Sequence, residues 1–209
     1  MVVSQHGCET LMCNVGAPLF VSLLPSANDC VLCCWHDGLV ATYKRTQLFV
    51  MSVWSLQLPH RIAHMCIHHG QGFVIATTVG GQCSVISAAD GRVLRTFSLG
   101  PIVVMSIFAV GESCLLVVSR DGRIMMFSLL GNSVVCKASM SLGCPLLHSH
   151  LSDACVLSVV KSNSCVQLIE FDPSAFLFRD GGSIVCLRTA TLSVITGESH
   201  GTANILAQI

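Results

Sequence analysis

Charge is what this sequence has least of. Asp, Glu, Lys and Arg make up 11% of its 209 residues, against about 25% in an average globular protein. The 11 basic residues are balanced by 11 acidic ones and scattered, so no basic stripe exists to hold a nucleic-acid backbone. Long apolar runs are missing too, although 52% of the residues are hydrophobic. None reaches the roughly 18 residues that a membrane-spanning helix needs. The longest candidate, residues 96–111, is broken by Gly100 and Pro101 and reads as strand, turn, strand. The opening MVVSQHGCETLMC has neither the basic region nor the long apolar segment of a secretory signal. Without export, the 13 cysteines, an odd number, are expected as reduced thiols packed like small hydrophobes. No linker, low-complexity tract or heptad repeat interrupts the chain. What remains is a strand-rich, weakly charged, cytoplasmic protein that keeps company with others.

What is present is a repeat. Residues 114–135, CLLVVSRDGRIMMFSLLGNSVV, read as strand, turn, strand, turn, strand. Val, Ile, Leu and Phe fill the runs, and Asp121-Gly122 accepts the positive φ angles of a tight hairpin. The second residue of successive tight turns falls at Gly38, Gly81, Gly122, Asn163 and Gly201. A period of about 40 residues holding four short strands is the pattern of propeller blades. The sequence therefore predicts an all-β, WD40-like β-propeller of about five four-stranded blades, spanning residues 18–56, 61–98, 102–139, 144–179 and 183–209. Phe176–Arg179 is the expected outer strand of the fourth blade. The fifth holds three expected strands, Ser183–Leu187, Leu192–Thr196 and Thr202–Leu206. Within residues 1–15, Glu9–Asn14 reads as an outer strand, either of a preceding blade or of the closing one. The low charge fraction favours an incomplete, open ring.

The repeats resemble WD40 blades in degenerate form. Where that family places Trp at the end of the third strand, this chain has Tyr43, Ile86, Phe127, Ile169 and Leu206. The following Asp is replaced by Lys44, Ser87, Ser128, Glu170 and Ala207, and the Gly-His pair before the blade is absent. Apolar packing is left to hold each blade. Within that superfamily, residues 72–209 resemble the C-terminal propeller of BEACH-domain proteins, the neurobeachin and beige (lysosomal trafficking regulator) group. The resemblance rests on the order and spacing of FVIATTVGGQCSVISAADGRVLRTFSLG, LLVVSRDGRIMMFSLLGNSV and LSVITGESHGTANIL, with WHDG upstream. It implies a non-enzymatic interaction appendage in vesicle and lysosome traffic, peripheral to endomembranes, inside a ring with more blades than five.

Few motifs carry chemistry. Residues 197–201, GESHG, match the nucleophile elbow G-x-S-x-G, and a serine hydrolase using Ser199 is the alternative reading. That elbow needs a following helix and a downstream Asp and His, and the eight residues after Gly201 supply none of these. Cys30-x-x-Cys33, with Cys34 and His36, has zinc-ligand spacing, and His64-x-Cys66-x-His68 offers a second half. Alternation puts Cys30 and Cys33 on opposite strand faces, so no metal is expected. His148 and His150 share a face without a third ligand, as Glu170 and Asp172 do at a blade edge. No Gly-rich loop precedes a lysine, which excludes a P-loop, and no cofactor is expected. Function is left to a surface. The second-to-third-strand turns and the interblade links crowd one face, which would present His36, Asp37, His60, Arg120, Asp121, Asn163, Ser199 and His200 to a protein partner.

Overall fold

The computed structural model describes residues 2–4, 7–9, 17–24, 30–46, 50–111, 113–129, 134–152, 155–163, 165–171, 182–183, 186–196 and 203–208. Strands β1 (Val2–Ser4) and β2 (Gly7–Glu9) pair as a two-stranded ladder. The first four-stranded sheet follows in chain order as β3 (Phe20–Leu23), β4 (Cys30–Cys34), β5 (Leu39–Arg45) and β6 (Val50–Gln57). The second is β7 (His64–His68), β8 (Phe73–Thr77), β9 (Gln82–Ser87) and β10 (Val93–Ser98). The third is β11 (Val104–Val110), β12 (Cys114–Ser119), β13 (Arg123–Ser128) and β14 (Val135–Ser141). Next come β15 (Leu146–Leu151), β16 (Val156–Lys161) and β17 (Cys165–Phe171), then β18 (Gly182–Ser183), which lies parallel on the edge of β14. The fourth sheet is completed by β19 (Cys186–Thr196) and β20 (Ala203–Gln208) in the order β15-β16-β17-β19-β20.

Apolar pattern explains which strands sit inside. CLLVVS of β12 is buried at every position because neighbouring sheets cover both its faces. CVLCC of β4 is buried throughout as well, with Cys30, Leu32 and Cys34 against the second sheet and Val31 and Cys33 clustered with Trp35 and Ala41 of their own sheet. Outer strands leave more of themselves exposed, as in VLRTFS of β10. Successive residues of one strand feed different interfaces. Val74 and Ala76 pack with Leu32, Cys34 and Trp54 of the first sheet, whereas Ile75 packs with Leu115, Val117 and Phe127 of the third. Leu116, Val118 and Met126 in turn meet Leu157, Val159 and Ile169 of the fourth. The sheets therefore stand side by side in an arc, with β7, β11 and β15 adjacent along its inner rim. Among the described residues β2 pairs only with β1 and β20 only with β19, so the arc stays open.

The fourth strand of every sheet slips one residue against the third, at Thr42/Tyr43, Val93/Arg95, Met126/Phe127 and Glu170/Phe171. The skipped residues Val53 and Leu94 fall out of the ladder and are exposed, and Leu147 does the same where β15 slips against β16.

The end of the chain departs from expectation. Phe176–Arg179 lies outside the described residues, and β19 takes the place beside β17 assigned to it. Ser183–Leu187 and Leu192–Thr196 are not two strands of a fifth blade, because one eleven-residue strand runs through Cys186–Thr196. CLRTATLSVIT contains no Gly, Pro, Asn or Asp to turn the chain, and its β-branched residues hold it extended. Of Glu9–Asn14 only Glu9 is described, and it closes the β1–β2 ladder opposite Val2.

Candidate functional site

The face on which the β4–β5, β8–β9, β12–β13 and β16–β17 turns meet the links between sheets is built by one repeated clamp. The turn glycine accepts the first hydrogen bond from the link: Leu58 N to Gly38 O, Leu99 N to Gly81 O and Leu142 N to Gly122 O, each 2.9 Å. The turn then takes the end of the link, with Ile62 N to His36 O at 3.1 Å, Val104 N to Val79 O at 3.0 Å and Leu146 N to Arg120 O at 2.9 Å. The next sheet grips the same link from the other side, through Arg120 N to Val103 O at 2.9 Å and Ser162 N to Pro145 O at 3.0 Å. The approach is close enough to require glycine. A Cβ on Gly38 (φ +100°) would lie 2.7 Å from Leu58 O, and one on Gly122 (φ +89°) 2.1 Å from Cys144 O.

On this frame the side chains fall into two groups. His36, Asp37 and His60 are exposed together over the first link. His36 Nδ1 donates to Ile62 O at 3.2 Å, Asp37 Oδ1 caps Leu39 N at 3.1 Å, and Gln57 Nε2 donates to Asp37 O at 2.9 Å. Arg120 and Asp121 belong to the second group, at a cleft of about 600 Å³ between the second and third sheets, with Pro101, Val103, Arg123 and Pro145 in its wall. Asp121 accepts from the Ser119 hydroxyl and from Arg123 Nε at 2.8 Å, and the Ser119 bond, then Arg123, holds its carboxyl below the usual range. Asn163 is exposed on the next turn, its Oδ1 capping Cys165 N at 3.3 Å. Ser199 and His200, with the whole GESHG turn, lie outside the described residues. Sequence reasoning missed the cleft wall. The available signal was a proline in every link, at Pro59, Pro101 and Pro145.

The cysteine and histidine motifs are pulled apart by the sheets. Cys30 and Cys34 pack between the first and second sheets, whereas Cys33 faces the other way with Val31 and Trp35. Cys66 packs between the second and third sheets, and His64 Nε2 donates to Val104 O there at 3.2 Å. The two halves of the zinc spacing thus lie on opposite sides of the second sheet. Among the described residues no three His, Cys, Asp or Glu side chains gather. The ten cysteines from Cys30 to Cys165 are reduced thiols. Burial, aided by Asp37 and then Cys33, pushes Cys34 up to about 12, and burial pushes Cys83 up to about 11. Neither is a thiolate nucleophile near neutral pH.

No family model matches the chain. No curated protein matches it either. Solved structures do. The C-terminal WD40 domain of Sif2 superposes with a TM-score of 0.60 at 17% identity, over 78% of this chain and 45% of that one. BamB from Moraxella catarrhalis gives a TM-score of 0.60 at 13% identity, over 84% of this chain and 48% of its own. The computationally designed Ika8 protein gives 0.57 at 13%, over 81% and 48%. The fold is a WD40-type β-propeller. The chain spans about half the length of these structures, in keeping with an open arc of propeller blades. In this propeller the family's Trp place is filled by Ile86, Phe127 and Ile169, all buried, and by half-buried Tyr43. The clamp of main-chain bonds through turns and links holds neighbouring blades where the family's Asp-His network is missing. Among the described residues no helix is long and apolar enough to cross a membrane.

Proposed function

We propose that the chain is a non-enzymatic protein-interaction scaffold, the propeller part of a BEACH-type protein serving vesicle and lysosome membrane traffic from the cytoplasmic side. The observation that carries the scaffold reading is the turn-and-link face. Rigid main-chain clamps there hold two groups of exposed polar side chains, one of them beside an apolar cleft, which is how loops on a stable frame come to bind. The trafficking part rests on the order and spacing of the segments within residues 72–209 quoted above. His36, Asp37, His60, Arg120, Asp121, Asn163, Ser199 and His200 form the proposed docking face.

Proximity labelling in cells, with the chain as bait, tests this. Protein neighbours of the wild type are expected at endosomal or lysosomal membranes. They should be lost from a His36→Ala, His60→Ala, Arg120→Glu triple variant and retained by an Asp90→Lys variant of the opposite face. Equal loss from both variants overturns the docking face, and neighbours confined to other compartments overturn the trafficking role. Stoichiometric labelling of Ser199 by a fluorophosphonate, abolished in Ser199→Ala, would overturn the non-enzymatic reading.

A further inference from the structure

The cleft between the second and third blades restricts what can lie in it. Its floor is apolar: Val103 is 50% exposed, with Pro101 and Pro145 exposed beside it. Several main-chain acceptors in and beside it are already engaged. Val79 O accepts from Val104 N, Val103 O from Arg120 N, Arg120 O from Leu146 N, and Pro145 O from Ser162 N. Pro101 and Pro145 have no N–H to offer. The wall is made of turns and links rather than an open strand edge, so an extended segment would find no ladder to join and its peptide groups would lose water with little compensation. Aromatic rings, which grip proline-rich ligands, are absent from the cleft wall. The segment that fits must satisfy its backbone internally, as an α-helix does.

Charge selects further. Arg123 and Asp121 neutralise each other across 2.8 Å. Arg120 is exposed at the rim, and its guanidinium has no partner among the described residues. One uncompensated cation beside an apolar floor complements a carboxylate beside an apolar stripe.

We infer that this cleft binds a short amphipathic helix of a partner protein, aliphatic side chains on Pro101, Val103 and Pro145, and an Asp or Glu one turn away on Arg120. The inference rests on the turn-and-link face being the docking face, and names the class of partner it takes. Helix residues three or four apart share a face, which gives the aliphatic and acidic groups the spacing they need. A volume of about 600 Å³ accommodates the side chains of one or two turns and lies in the ordinary range of ligand clefts.

The test is a display library on a single soluble α-helix, randomised at i, i+3, i+4 and i+7, panned against the full chain. Enriched helices should carry aliphatic residues with an Asp or Glu. Their affinity should fall about ten-fold for Arg120→Glu and for Val103→Asp, like charges or a buried carboxylate replacing a favourable contact. Changing the helix acid to Lys should restore binding to Arg120→Glu. Circular dichroism and the denaturation midpoint verify that each variant is folded. Helices lacking an acid, affinity unchanged in both variants, or no restoration by the charge exchange would overturn the inference. Helices that depend on His36, Asp37 and His60 instead would overturn the cleft and leave the face standing. Binders that depend on neither group would overturn both.

Discussion

His68 sets a residue-scale liability inside the second blade. It is 1% exposed, and neither ring nitrogen has a hydrogen-bond partner. Burial pushes its pKa down, and the adjacent His69 pushes the same way. His64, on the same strand face, is also lowered by burial, partly offset by its bond to Val104. A histidine whose folded pKa lies below its unfolded value binds more protons unfolded. Stability is therefore complete above the unfolded pKa, near 6.5, and is lost as pH falls below it. Urea midpoints are expected to drop between pH 7.5 and pH 5.5. The drop should shrink in His68→Leu, which should also be about 1–3 kcal/mol more stable at pH 7.5 for losing an unpaired buried polar group. An unchanged pH dependence would place the titration elsewhere. Phe127, 7% exposed between the second and third blades, behaves oppositely. Phe127→Ala should cost about 3–5 kcal/mol by denaturant unfolding, and an unshifted midpoint would contradict its burial.

At the scale of elements, the turns decide the architecture and the links decide the site. Gly122→Ala forces a side chain at φ +89° into the Cys144 carbonyl, whereas Gly143 has a positive φ but open space around it. The first should therefore cost clearly more than the roughly 1–3 kcal/mol of backbone strain alone, and the second no more than that, in parallel melts. Neighbouring blades are also tied by side chains that reach from an outer strand to the next blade. Trp54 Nε1 donates to Ala88 O at 3.1 Å and an Arg95 guanidinium nitrogen to Leu129 O at 2.7 Å. Trp54→Phe keeps the ring but leaves a carbonyl unpaired, and should cost about 1–3 kcal/mol. Asp37-Gly38, Gly80-Gly81 and Asp121-Gly122 punctuate the sequence with chemistry that only a tight turn uses, which made the first three blades legible. The fourth was harder to read, because its outer strand arrives after a long excursion and contains no turn residue to mark its middle. The cleft was illegible for a different reason. Gly80, Pro101, Val103, Arg120 and Pro145 come together only once two blades pack, and no local pattern encodes that packing.

The whole molecule is an arc whose large aliphatic side chains are not all covered. Leu23 and Leu147 are 66% and 67% exposed. Such residues invite contact between molecules that have few charges to repel one another. Sedimentation velocity across a concentration series should show reversible association, and Leu23→Lys with Leu147→Lys should reduce it. A weight-average coefficient independent of both concentration and substitution would show that these side chains are not contacts. The one-residue slip in the outer strands β6 and β10 bears on the form such association takes. A strand laid along β6 or β10 that matches the amides on one side of the slip is out of step on the other. Growth by addition along those two edges therefore stops within a few residues. Along β6 and β10, molecules can meet and part again without templating one another. An arc this poor in charge carries, along β6 and β10, a stutter that keeps a second molecule from zipping onto those two rims.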